Sequence, residues 1–368
     1  MVTQPPMVTQ PPTVTEPSTV VTRAAAIAGI AVAHPPPVSQ QDLWDHFFSR
    51  HYGGVVKNLA RRVFANSGVT TRHAAVNPMV EDASGWSTAV RMERYLSEAL
   101  PLGKDAVAGA LADAGVAASE VGLLAVASCT GYVTPGLDIL LARDLGLPPD
   151  AQRLFIGHMG CYAALPGLRA VADFVAVSGR PAVLLCVELT SLHIQPSTVD
   201  PQQVVAHALF SDAAAAAVLV PGTFGYQVSE VVSVTDTATA DHMTWHMTDQ
   251  GFRMGLSPRV PEVLGRHIGP LVEDLLSRRG LSISDVDSWA VHPGGPRVLD
   301  VARTELGLSE AQLAPSRGIL AAHGNCSSPT VLMILDEVRR AGAAVRQAGP
   351  TVALAFGPGL TLYGALLG

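Results

Sequence analysis

Residues 151–189 read AQRLFIGHMGCYAALPGLRAVADFVAVSGRPAVLLCVEL, and their order decides the fold class. The run 151–157 reads as a strand ending in Gly157. Three residues (His158, Met159, Gly160) then lead to Cys161, an apolar helical stretch covers 162–179, and a continuous apolar strand fills 182–189. Strands without a polar face, joined through helices, belong to a sheet covered on both sides. Gly160 permits a tight strand-to-helix turn, and a thiol at a helix start lies in the positive end of the macrodipole, which favours thiolate.

The same grammar extends in both directions. Upstream, 24–33 and 121–129 read as buried strands, and 104–115 and 137–147 as helices. Downstream, strands are predicted at 226–235 and 288–292, helices at 263–280, 296–307 and 327–342, and two closing strands within 351–368, joined by a Gly-Pro-Gly turn. The chain thus divides into a tail (1–23, a repeated MVTQPP followed by Pro, Thr and Val, expected to be disordered), a half at 24–225 and a similar half at 226–368. The duplication rests on element order alone.

Composition narrows the function. The 368 residues are 48% hydrophobic but only 5% aromatic, which suits close helix–sheet packing and a sizeable subunit interface. A net charge of -7 opposes a nucleic-acid surface, which needs a basic footprint. The early apolar run 24–33 is too short for a bilayer span of roughly 20 residues and follows no basic region, so a cytoplasmic enzyme that does not enter membranes is expected. Four cysteines occur without a CxxC pair, so no metal is expected.

Three residues at strand-to-helix junctions carry candidate chemistry. Cys161 is a nucleophile by position, although a lone cysteine is more often an ordinary core residue. His292 ends the apolar run SWAV and can move protons for a thiol. With twelve histidines in the chain, it could equally be a loop histidine. Asn325, in HGNCSSPT, can donate to a developing oxyanion or can help initiate a helix. Junctions of this kind are where open α/β sheets place ligands.

These segments together resemble the type III polyketide synthases, the chalcone synthase-like family, over roughly 24–368. GHMGCYAALPGL, AVHPGGPRVLD and HGNCSSPTVLMIL match the family's Cys, His and Asn segments, and AFGPGLTLYGALL its C-terminal loop, with Gly357 and Pro358 in the GPG turn. The resemblance implies a thiolase fold: a duplicated αβαβα five-layer core with two mixed sheets and buried helices. It implies transfer of an acyl starter from CoA, or from an acyl carrier protein, to Cys161. Decarboxylative condensation with malonyl-type CoA extenders follows without a cofactor, with His292 and Asn325 holding the enolate, in a homodimer.

Substrate-binding positions carried over from the family are Phe210 (first gate), Met254 at the second gate with Phe252 nearby, Cys129 on the cavity floor, and Thr190, Leu192 and His193. His193 has no assignable role. Thr134 would reach across the dimer, and Lys57 and Arg62 would hold CoA phosphate. The expected product is an alkyl α-pyrone, with resorcinol-type or tetrahydroxynaphthalene-type closure as alternatives. Two further readings are an initiating ketoacyl-ACP synthase, whose strings around His and Asn differ from HPGGP and HGNCSS, and a non-catalytic thiolase-like partner, which would lack the nucleophile.

Overall fold

The computed structural model describes residues 23–223, 226–345 and 349–368. The predicted disordered tail, except Arg23, lies outside the described residues. The strands are β1 (Ala25–Ala33), β2 (Pro37–Ser39), β3 (Thr71–His73), β4 (Leu123–Ser128), β5 (Gln152–Gly157), β6 (Ala182–Glu188), β7 (Ala213–Pro221), β8 (Tyr226–Thr235), β9 (Met243–Thr248), β10 (Gly251–Leu256), β11 (Ser288–Val291), β12 (Thr351–Gly357) and β13 (Thr361–Leu367). Each predicted strand is present within two residues at either end. The predicted 104–115 helix is the second half of a longer one, Thr88–Ala114.

Both expected sheets form, and both are mixed. In the first, β5, β4 and β6 are parallel while β7 and β1 run antiparallel. In the second, β11 and β12 are parallel and β13 and β8 antiparallel. They are not separate, however. Two residue pairs, Ala26↔Gln227 and Ile27↔Tyr226, join β1 to β8 and make one nine-stranded sheet.

Period-two alternation sorts the strands onto two buried faces. Leu124, Val126, Val183 and Leu185 face the helix Thr88–Ala114. Ala125, Ala127, Leu184 and Cys186 face the helices Ala164–Ser178 and Pro329–Val345. The second sheet turns Ala353, Ala355 and Ala365 to that same helical pair, and Val352, Leu354 and Phe356 to the helices Val260–Ser277 and Pro296–Leu306. The layers are therefore helix, sheet, helix, sheet, helix. The stretch Gly160–Ser178 is long and apolar enough to cross a membrane, but 56% of it is buried in this central layer.

Alanine and glycine make such close layering possible. At Gly29 of β1, an added Cβ would lie 2.5 Å from the Ala110 carbonyl oxygen and the Ala114 nitrogen. Glycine inside a strand marks close backbone approach of this kind. Gly29→Ala must push the helix off the sheet and should cost about 1–3 kcal/mol. Denaturant unfolding checks this; a variant within about 0.5 kcal/mol of the parent would contradict the packing account.

Candidate active site

The β5 strand ends at Gly157, and the chain then turns sharply through His158 (φ 62°) and Gly160 (φ 70°) into the short turn Gly160–Tyr162 and the helix Ala164–Ser178. This presents Cys161, 7% exposed, at a cavity of about 300 Å³. A second non-glycine residue with positive φ, Ser327 (58°), lines the same cavity. Two strained backbones, costing about 1–3 kcal/mol each, converge on one cavity.

Asn325 arrives by a different route. After the helix Glu310–His323 and Gly324, its backbone pairs with the Phe210 segment: Asn325 N–H donates to the Leu209 carbonyl and Asn325 C=O accepts from Ser211 N–H, both at 2.9 Å. Its amide oxygen accepts from Ser327 N–H at 2.8 Å, which leaves the amide nitrogen toward the sulfur. His292 follows β11, and its N–H donates to Leu354 of β12. Its ring meets Phe356 edge-on at 5.4 Å. Two residues beyond, Pro358 packs on Gly160 and lines the Cys161 cavity. The end of β12 thus brings the histidine segment and the cysteine segment together.

The electrostatics correct one expectation. Burial above all, with a smaller contribution from buried Glu188, pushes the Cys161 thiol up to about 12 against the pull of the Ser327 hydroxyl and the Asn325 amide. The helix start does not decide its ionisation; burial outweighs it. His292 is wholly buried, neither ring nitrogen has a hydrogen-bond partner, and burial lowers its pKa to about 3. Both shifts favour a neutral thiol and a neutral imidazole at rest. An unpartnered neutral imidazole can take a proton once substrate arrives.

Behind the sulfur sits a buried carboxyl. Glu188 accepts from Cys129 N–H (3.0 Å), Thr130 Oγ1 (2.8 Å) and Ser328 Oγ (2.7 Å). It holds the floor loop against β6 and, with burial, keeps the Cys129 thiol well above its ordinary value. Of the two cavity cysteines, Cys161 alone has an amide donor facing its sulfur.

The structure distributes the remaining predicted residues unevenly. Phe210, Met254, Cys129, Thr190 and Pro358 line the Cys161 cavity. Phe252 lies one shell away, between a cavity of about 50 Å³ and one of about 250 Å³. Leu192 is a correction: its side chain is fully buried in the core beneath the helix Thr88–Ala114. Gly357 contributes space, because a Cβ there would meet Tyr162 at 2.9 Å. Thr134 is exposed and its hydroxyl donates to Tyr132 Oη at 3.4 Å.

His193 gains a role. Its Nδ1 accepts from Phe252 N–H at 3.0 Å, so Nε2 carries the proton and donates to the Thr130 carbonyl at 2.7 Å. It pins the cavity floor to the hairpin β9–β10.

Trp245, on that hairpin, was not visible in the sequence as a site residue. It lines the Cys161 cavity, its Nε1–H donates to the Cys129 carbonyl at 2.8 Å, and it stands edge-on to His193 and Phe252. Its only signal was alternation over MTWHMT. A groove of about 570 Å³ adjoins through Met243, which lines both spaces, and carries Arg62, Arg297 and Gly294–Pro296. Lys57 is exposed but lines neither this groove nor the neighbouring depression, where Arg61 joins Arg62. Sequence reading did not single out Arg61 and Arg297.

Comparison with known proteins agrees with this geometry. Residues 17–222 match the N-terminal domain of chalcone and stilbene synthases, and residues 229–368 the C-terminal domain. The chain belongs to this family. It is 32% identical over 361 residues to the alpha-pyrone synthesis polyketide synthase-like Pks18 of Mycobacterium tuberculosis, covering 94% of this chain and 91% of that protein. It is 34% identical over 360 residues to 1,3,6,8-tetrahydroxynaphthalene synthase of Streptomyces peucetius subsp. caesius, covering 94% of both. Among solved structures, PKS-I of the brown alga Ectocarpus siliculosus superposes with a TM-score of 0.88 at 30% identity, over 94% of this chain and 98% of that one. The C-terminal type III polyketide synthase domain of Steely1 from Dictyostelium gives 0.87 at 26%, over 94% and 99%. The chain is a type III polyketide synthase, a decarboxylative condensing acyltransferase that uses acyl-CoA starters and malonyl-CoA extenders. The ketoacyl-ACP synthase and non-catalytic partner readings fall away.

The neutrality of His292 has a measurable sign. The unfolded chain binds a proton near 6.5 and the folded site only near 3, so the contribution is intact above pH 6.5 and shrinks as pH falls toward 3. His193 and His207, equally buried, behave alike. Stability should fall below pH 6.5 by up to about 1.4 kcal/mol per pH unit for each such histidine. Denaturant unfolding between pH 7.5 and 5 should show a shallower slope in His292→Gln by one proton. Parallel slopes would mean that His292 is charged in the folded protein.

Proposed function

We propose that Cys161 is acylated by an aliphatic starter, that malonyl-type units extend it, and that the product closes to an alkyl α-pyrone. The observation that carries this is the Cys161 cavity itself. Its about 300 Å³ lies at the small end of ligand sites, and Phe210, Met243, Trp245 and Met254 give it an apolar, adaptable wall. Such a space suits an extended alkyl chain better than a preformed polycycle. Pyrone closure also asks least of the protein, because an enol oxygen attacks the thioester and no further carbanion is needed. The α-pyrone activity named for the Mycobacterium relative supports the same reading.

In this mechanism His292 takes the Cys161 proton as the sulfur attacks the starter thioester carbon, and returns it to the departing CoA thiolate. His292 and the Asn325 amide then donate to the malonyl thioester oxygen as carbon dioxide leaves, and the carbanion attacks the acyl carbonyl carbon, expelling the Cys161 thiolate and leaving the extended chain as a CoA thioester. The pantetheine arm enters through the groove past Met243, with phosphate held by Arg62 and Arg297. An acyl carrier protein could present the same arm at the same mouth. A second copy of the chain would cover β5, the sheet's exposed edge, where Leu154, Phe155 (42% exposed) and nearby Tyr132 (65%) are apolar and open and from which Thr134 could reach the neighbouring cavity.

Acyl-CoAs of graded length with malonyl-, methylmalonyl- or ethylmalonyl-CoA, and products identified by mass, decide the matter. Alkyl α-pyrones are expected; resorcinols or naphthalenes as the main products would overturn the closure. Cys161→Ala should abolish the acyl-enzyme, and Asn325→Ala should lower kcat by about 10²–10³. Labelling that persists on Cys129 would refute the nucleophile assignment.

A further inference from the structure

Three histidines from distant parts of the chain meet beside the segment that leads into Asn325. His34 follows β1, His73 ends β3, and His323 ends the helix Glu310–His323, two residues before Asn325. Their rings are stacked: His34 lies 4.1 Å from His73 and 4.5 Å from His323 between centroids, and His73 lies 5.1 Å from His323. One nitrogen from each lies within 4.8 Å of the others. His34 and His323 are half-buried, which leaves an approach from solvent.

Two details distinguish this from stacking alone. His73 Nδ1–H donates to the Pro35 carbonyl at 2.9 Å, which fixes the tautomer, so His73 Nε2 accepts from His323 Nδ1–H at 3.0 Å, a hydrogen bond that a metal ion would replace. An imidazole anchored through one nitrogen to a carbonyl is the usual support for a metal ligand on the other. His34 Nδ1 is buried and has no hydrogen-bond partner. The buried Asp212 carboxyl lies near His73, with its oxygens taken by Ala75, Thr190 and Ser191. Burial holds its pKa above the ordinary carboxylate value, and its engaged oxygens do not compete as ligands.

We propose that His34, His73 and His323 form a binding site for one divalent late-transition-metal ion such as Zn²⁺. Imidazole nitrogen suits zinc, cobalt, nickel and copper. Bonds of about 2.0–2.1 Å in tetrahedral geometry separate ligand nitrogens by about 3.3 Å. The His34 and His323 rings must turn out of their stacks to aim these nitrogens at one ion, with the fourth position left to water. A bound ion would tie β1, β3 and the helix leading into Asn325 into one unit. Its role is to fix that segment, not to take part in condensation. The three ligands are too widely spaced in sequence to form a motif, which is why the cysteine pattern gave no sign of them.

The test is titration of Zn²⁺ into full-length protein stripped with EDTA and desalted, followed calorimetrically, with Co²⁺ as an optical probe. Expected are one saturable site per chain, tetrahedral Co²⁺ bands displaced by Zn²⁺, and a melting temperature that rises with free metal, since only the folded chain holds the site. His34→Ala and His323→Gln should each weaken binding about tenfold or more. Equal binding by the parent and by the double variant would overturn the proposal. Should the variants not fold, the parent decides it alone: a Co²⁺ spectrum no different from the aqueous ion overturns the site.

Discussion

Contact between the end of β12 and the turn before Cys161 is the constraint on which the site depends. Pro358 lies where a side chain on residue 160 would be, and Tyr162 where one on residue 357 would be, so both positions need glycine. Gly160 also carries the left-handed φ that aims the cysteine. β12 pairs with β11, which delivers His292, while its far end seals the cavity beside Cys161. Among the described residues the β1–β8 seam holds two residue pairs, and the contact at the end of β12 is a further tie between the cysteine turn and the strand beside the histidine segment.

Burial then decides the chemistry. Burial pushes the Cys161 thiol up to about 12 and the His292 imidazole down to about 3, and both shifts oppose a resting ion pair. The protein keeps both groups neutral and dry, and charge develops only when a thioester occupies the cavity. In that low-dielectric space the Asn325 amide and His292 act on an oxyanion with little reorganisation. Glu188, held by Cys129, Thr130 and Ser328, fixes the loop that forms the floor.

Much of this was legible in the sequence because it is written locally. Buried strands such as 182–189 and the helix at 162–179 follow from continuous apolarity, and Cys161, His292 and Asn325 stand out at junctions. Side-chain direction and long-range contact were not legible. Leu192 and His193 are neighbours, yet one faces the core and the other pins the hairpin to the floor. Trp245 gave no motif, and Arg297 was not singled out because groove membership depends on tertiary packing. The macrodipole argument for Cys161 meets an opposing effect for a related reason: sequence places a residue at a helix start but does not report how dry that position is.

The most direct test of the neutral resting pair is the pH dependence of Cys161 alkylation, read by peptide mass mapping on the free enzyme. The account predicts a rate that keeps rising through pH 9 with no plateau at lower pH. A plateau near pH 6 to 7, with a half-point well below an ordinary thiol's, would show a standing thiolate–imidazolium pair and contradict it.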